Sequence, residues 1–261
     1  KNFSNVALTG DGGDENFFGY VLFDGFKIFL ILKKFIPKFF FKFVNRLLNF
    51  VKISEKYMSP SKKIKTFFKG GVFKTSEVIS NWICPLELNE IEENLKIKID
   101  KKLFFEEITT LFNKNSDHLR FAQKYMIKYY LPTILIKVDQ ASMLNSVESR
   151  SPFLSKAIIN YSLNTRTNNL YKLFQKKLFL KNIFKFIPKY ILKAKKHGFA
   201  FQKEKIMRDK DFINKMIRKD YLLNKEFFEK KYSNFLDNKG NYSNYIWHEI
   251  TLNNFLQKNK R

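Results

Sequence analysis

The sequence has a single cysteine, Cys84, in 261 residues, which excludes an internal disulfide and fits a reducing cytoplasm. Its three histidines, His118, His197 and His248, are far apart, and no histidine–cysteine cluster has zinc spacing. No window reaches the roughly eighteen uncharged apolar residues that a membrane span requires. A signal peptide and an initiator Met are also lacking, and the chain opens within a strand-like segment, as a piece of a longer protein would. Acid is scarce as well. Lys and Arg number 49 against 24 Asp and Glu, a formal net charge of +25. Such a balance suits nucleic acid or an anionic membrane face. The excess, however, is lysine dispersed among Phe, Asn and Ile, the set that A/T-rich codons encode. No nucleic-acid-binding motif accompanies it, so neither nucleic acid nor membrane is expected as a partner.

What is present is concentrated near the amino end. Val6-Ala7-Leu8 is a short apolar run suited to a buried parallel strand. Gly10, Gly12 and Gly13 follow at once and let the backbone turn sharply and approach a ligand closely. Asp14 and Glu15 then place carboxylates at the positive end of a helix. Strand, glycine turn and helix start, in that order, form a phosphate or nucleotide cradle at the carboxyl edge of a parallel sheet. Three carboxylates (Asp11, Asp14 and Glu15) beside such a cradle make sense if Mg²⁺ bridges them to a polyphosphate. The bland alternative is a glycine turn followed by a capped helix. The EF-hand pattern of alternating Asp/Asn ligands with a closing Glu is not met, which speaks against a calcium loop.

The block Thr9-Gly10-Asp11-Gly12-Gly13-Asp14-Glu15…Phe18-Gly19-Tyr20 resembles the "SG(E/D)GxDExFgGY" motif of the synthetase domain of glutamine-dependent asparagine synthetases and their relatives in surface-polysaccharide clusters. Three later blocks resemble the same family in the same order: Tyr130-Leu131-Pro132…Lys137-Val138-Asp139-Gln140-Ala141-Ser142-Met143, Glu148-Ser149-Arg150-Ser151-Pro152-Phe153-Leu154, and Lys196-His197-Gly198-Phe199. The resemblance implies a predominantly α chain with a remnant of a parallel α/β nucleotide-binding sheet, an incomplete synthetase domain of the PP-loop type. It implies that residues 1–261 are the C-terminal portion of that domain, without the "SGGxDS" phosphate loop and without a glutaminase domain. The chain departs from the family pattern at Asp11, where asparagine synthetases often carry Glu, at Phe18 for a glycine, and at Ser155 for an aspartate.

The reaction implied is that of a carbon–nitrogen ligase using ATP and Mg²⁺. A carboxylate, aspartate's in the parent family, is adenylated, and ammonia derived from glutamine displaces AMP to give the amide. By resemblance Thr9, Gly10 and Gly12 line the nucleotide, Asp11 orients the acyl or amine group, and Asp14 with Glu15 serves the metal. Lys196 stabilises the departing pyrophosphate, and Lys137 and Asp139 stand at the nucleotide end. The isolated chain is expected to be inactive. Two other readings stand beside this one: a non-catalytic remnant or split subunit that needs a partner, and a basic protein binding nucleic acid or a membrane surface.

Elsewhere the pattern is helical. Phe26 to Val51, broken by Pro37, reads as two packed core helices, with an interfacial amphipathic helix as the alternative. Ile53 to Lys74 is polar and lysine-rich, with Ser59-Pro60-Ser61 and Gly70-Gly71 marking loops. Short helices are expected from Thr75 to Ser116, and a helix from Leu119 to Tyr130 with another restarted by Pro132. In the latter Ile134, Val138 and Ala141 share a face, and Lys137 projects from the adjoining, half-buried stripe, where it needs an acidic or phosphate partner. Glu148 and Arg150 read as a structural ion pair, Tyr171 to Phe186 as a basic helix, and Ile206 onward as helical.

Overall fold

The computed structural model describes residues 4–48, 59–193, 203–218, 223–240 and 242–259. The chain runs from strand β1 (Val6–Leu8) into a one-turn helix α1 (Gly13–Asn16), then α2 (Val21–Leu32), α3 (Lys38–Leu48), α4 (Pro60–Gly70), α5 (Val78–Ile83) and α6 (Leu88–Leu95). Helices α7 (Lys101–Asn113), α8 (His118–Tyr125) and α9 (Leu131–Met143) lead to strand β2 (Glu148–Arg150). After it come α10 (Lys156–Asn164), α11 (Thr167–Leu170), α12 (Leu178–Ile183), α13 (Lys189–Lys193), α14 (Lys203–Met207), α15 (Lys210–Met216), α16 (Lys225–Leu236) and α17 (Ser243–Asn259). The expected character holds at this level: the described residues are mostly helix, with one two-stranded parallel sheet among them. None of the described helices is long and apolar enough to cross a membrane.

Two compact units divide the chain. The first comprises Lys1–Leu32 and Glu106–Lys196. In it β1 and β2 pair in parallel, Val6 opposite Glu148 and Leu8 opposite Arg150, and Thr9 N–H extends the ladder to the Arg150 carbonyl at 2.8 Å. The core is aromatic: Phe23, Phe26, Phe29 and Phe121 are fully buried. Each such ring is worth about 1.5–3 kcal/mol in burial alone. Helix α9 packs beside β2. A wide helical turn at Met126–Tyr130 precedes Pro132, whose missing N–H could not have closed an ordinary helical bond.

The strand differs from the expectation in burial. Leu8 is 77 % exposed and Val6 is exposed too, as are Ile136, Met143 and Leu144 on α9 and after it. An apolar strand written for a sheet interior therefore lies bare, and bare apolar edges are unusual in stable sheets. Lys137 is a further correction: Ile134 and Val138 on α9 are half-buried as expected, but Lys137 itself is exposed, as is Ala141, so no partner is demanded by burial.

The second unit comprises Lys33–Phe105 and His197–Arg261. Its core gathers Met207, Ile213, Phe227, Phe235, Tyr245, Ile246 and Ile250 from the last four helices, as the helical reading of Ile206 onward implies. The loop expected at Ser59-Pro60-Ser61 is corrected, because Ser59 is an N-cap whose side chain accepts from Lys62 N–H, and Pro60 opens α4 at the position where no N–H is needed. Packed on α4, α3 brings Phe41 against Phe67 and Phe68. Helices α2 and α3 belong to different units: α2 buries Phe23, Phe26 and Phe29 in the first, whereas α3 buries Phe41 in the second and leaves Phe39, Phe40 and Phe43 exposed.

Candidate active site

Strand β1 ends at Thr9, and the chain turns through Gly10 to Gly13 into α1. Gly12 has φ +80°, a left-handed conformation, and a Cβ there would stand 2.2 Å from Leu154 Cδ2. Glycine is required twice over, by backbone sterics and by packing. Gly13 N–H closes the turn on the Gly10 carbonyl at 3.2 Å, and the Ser151 hydroxyl donates to the Asp11 carbonyl. Gly10 has open space where a side chain would be. The turn is thus clamped from one side by Ser151, Phe153 and Leu154 and left open over Gly10.

Below the turn lies a buried polar network. Asn16 is fully buried; its amide donates to the Phe153 carbonyl at 3.0 Å and its oxygen accepts from Ser162 Oγ at 2.8 Å. Gln123 Nε2 donates to the Asn16 carbonyl at 2.8 Å, and Arg120 donates to Gln123 and to the Ser162 and Thr165 carbonyls. Asp117 caps α8 and accepts from Thr167. Buried polar groups persist only when satisfied, so this network fixes the position of α1 relative to α8 and α10.

The carboxylates of the turn part ways. Asp14 forms an ion pair with Lys177, Oδ1 to Nζ 2.8 Å. Glu15 is 1 % exposed and accepts from the Tyr20 hydroxyl at 2.6 Å. Burial first, then the bond to Glu15, raises the Tyr20 hydroxyl far above the usual phenol range, so it remains a donor. Among the described residues no group of three or more His, Cys, Asp or Glu side chains is placed to hold a metal ion. Asp11, Asp14 and Glu15 accordingly do not form one preassembled cage. Mg²⁺ needs only one or two carboxylates when phosphate oxygens complete its shell, so a cage of three is not a requirement for that ion.

Lys177 was not singled out in the sequence, and long-range contacts explain why it matters. Asp24, buried on α2, accepts from the Tyr171 hydroxyl and from Phe174 N–H, each at 2.9 Å. These bonds hold the chain between α11 and α12 as a turn rather than the expected helix. Phe174 and Lys177 sit at φ +64° and +53°, which no helix accommodates. Phe179 on α12 stacks on Phe17 with ring centroids 5.6 Å apart. Gly19 seals the arrangement: a Cβ there would lie 1.9 Å from Asp14 Oδ1 and 2.7 Å from Lys177 Cε. A chain of named contacts from Asp24 to Gly19 thus sets the lysine on the aspartate.

Of the remaining candidates, Lys137 and Asp139 are exposed on α9, beside β2. Glu148 and Arg150 form the expected ion pair, with Nε to Oε1 2.9 Å, and both are exposed. Lys196, with the Lys196-His197-Gly198-Phe199 block, lies outside the described residues. Two departures from the family pattern acquire physical readings. Ser155 caps α10 by accepting from Ile158 N–H, a task aspartate performs equally well. Phe18 occupies φ +54°, where a glycine would be unstrained, and is held there by Phe23 and Tyr171.

Compared with protein-family models, residues 1–257 match the one described as Asparagine synthase. No curated protein and no solved structure matches the chain. With nearly its whole length inside that match, the chain belongs to the asparagine synthase family, a family of carbon–nitrogen ligases.

Proposed function

We propose that the chain is the carboxyl-terminal part of an ATP-dependent amidotransferase that adenylates a carboxylate and passes ammonia to it. The observation that carries this reading is the open glycine turn at the end of a parallel strand, with the Asp14–Lys177 pair beside it. In the first step a carboxylate oxygen attacks the α-phosphorus of ATP, the bond to the β-phosphate oxygen breaks, and pyrophosphate leaves. In the second, ammonia attacks the acyl carbon, the carbon–oxygen bond to AMP breaks, and the nitrogen loses a proton. Thr9, Gly10 and Gly12 supply backbone close to the nucleotide, and Asp11 orients the acyl or amine group. Lys177, with Lys196, offers positive charge to the leaving pyrophosphate. Lys137 and Asp139 are secondary contacts at the nucleotide end. Asp14 is the residue that would hold Mg²⁺, with Glu15 behind it through Tyr20; when bound, the ion neutralises pyrophosphate charge. Aspartate or a related acid is the acceptor, and glutamine the source of ammonia through a glutaminase domain.

A second reading, a subunit that needs a partner, is favoured by the bare faces of Val6 and Leu8. Both readings require further parallel strands of a PP-loop-type sheet, supplied in cis or in trans with the "SGGxDS" loop. ATP–pyrophosphate exchange tests them. These residues alone are expected to give none, and addition of a strand-bearing segment, fused or separate, gives carboxylate-dependent exchange. Exchange that needs the segment as a separate chain selects the partner reading. No exchange in either form, with both folded, overturns the proposed chemistry.

A further inference from the structure

The second unit contains a cavity of about 450 Å³ bounded by α4, α5, the start of α6 and the turn before α17. That volume lies in the range of small-molecule sites, roughly 300–1,000 Å³. Its wall on α4 is cationic: Lys62, Lys65 and Lys69 recur at three- and four-residue spacing and so share one helix face, with Thr66 between them. Like charges at this spacing repel along a helix by a few tenths of a kcal/mol each, about 0.2–0.5. The alternative was available, since Lys63 on the same helix is exposed.

Counter-charge inside the cavity is already committed. Glu87 pairs with Lys69 at 3.3 Å, and Glu90 pairs with the buried Lys231. Lys239 has its own partner in Asp237 at 2.9 Å. Lys62 and Lys65 have no carboxylate within ion-pair distance among the described residues. Burial pulls both ammonium groups below the usual lysine range; Lys203 adds to this at Lys62 and Lys69 at Lys65, with Glu204 and Glu87 acting in the opposite sense. Lining the other walls are Trp82, Tyr242 and the amides of Asn81 and Asn244. Half-buried cations beside amides and an indole match phosphate oxygens, hydroxyls and a sugar face in turn.

We infer that this cavity binds a small phosphorylated polyol, with Lys62 and Lys65 on the phosphate and the amides on the hydroxyls. The site is made wholly from the second unit and does not rest on the proposed ligase chemistry. Trp82 is its reporter. In a Trp247→Phe chain the emission of Trp82 is titrated with glucose 6-phosphate, glucose and inorganic phosphate, and isothermal titration of the unsubstituted chain repeats the series should that variant fail to fold. Saturable binding of glucose 6-phosphate is expected, with weaker binding of the other two probes. Lys62→Gln and Lys65→Gln each raise the Kd about tenfold, the loss of one charge-assisted contact, with circular dichroism unchanged. Asp14→Asn, in the other unit, leaves the Kd as it was. Absence of saturable binding, or a Kd indifferent to both lysine substitutions, overturns the site. Equal affinity for inorganic phosphate overturns the polyol assignment, and loss of binding in Asp14→Asn overturns the independence of the site.

Discussion

Replacing Asp24 by alanine tests whether the loop that carries Lys177 is held as described. Asp24 is 5 % exposed, and one of its oxygens accepts from both Tyr171 Oη and Phe174 N–H at 2.9 Å. Removal leaves two donors without their acceptor, at about 1–3 kcal/mol each. Partial solvation of the loosened turn offsets some of this, so a net loss of about 3 kcal/mol is expected. For a chain of this length that lowers the Tm by about 6–12 °C. Tyr171→Phe removes one of the two bonds and should cost about 1 kcal/mol. Since Asp24 and Tyr171 touch, their double-mutant cycle in urea should show a coupling of about 1–2 kcal/mol. Asp24→Asn keeps an acceptor and should retain most of the stability. Strict additivity of Asp24→Ala and Tyr171→Phe, or an unchanged Tm in Asp24→Ala, would refute the reasoning, because it would mean the turn is held by something else.

Other substitutions probe other links. Gly19→Ala forces a methyl into the Asp14–Lys177 pair and is expected to reduce carboxylate-dependent exchange in the strand-completed protein by at least about tenfold while costing little Tm, measured side by side. Phe18→Gly relieves a left-handed backbone worth about 1–2 kcal/mol but empties a fully buried site worth about 3–5 kcal/mol. A net destabilisation in urea is therefore expected, and a gain would mean that strain dominates. Glu249 gives a pH signature. Burial raises its carboxyl above the usual 4.5, against the smaller pull of Asn94 and Tyr245. The folded state then binds the proton more tightly than the unfolded one, so stability falls as pH rises from about 4.5 through the raised value and is level above it. Glu249→Gln should abolish that slope in denaturant midpoints measured from pH 4 to 8; an unaltered slope assigns it to other groups.

The Gly10–Gly13 turn was legible because strand, glycines and helix start are contiguous, and Gly12 needs its left-handed φ for reasons local to the turn. Glu148 and Arg150, two residues apart on a strand, were legible for the same reason. Ser59-Pro60 was misread as loop because the same pair serves as turn and as helix start. Lys137 is exposed although Ile134 and Val138 on the same helix are half-buried, because periodicity gives the face of a residue and not how far a neighbouring element covers it. Asn16 and Lys177 were missed altogether. Their partners, Ser162 and Gln123 for one and Asp14 for the other, lie 107 to 163 residues away, and no local pattern encodes such pairings.

The proposed chemistry requires an acyl-adenylate beside the Gly10 turn. The direct measurement follows oxygen: a carboxylate substrate labelled with ¹⁸O is turned over with ATP and ammonia by the strand-completed protein, and the AMP is weighed by mass spectrometry. One labelled oxygen in AMP, lost together with turnover in Asp14→Asn, is the predicted result. Unlabelled AMP from an active protein, or labelled AMP undiminished by Asp14→Asn, would contradict it.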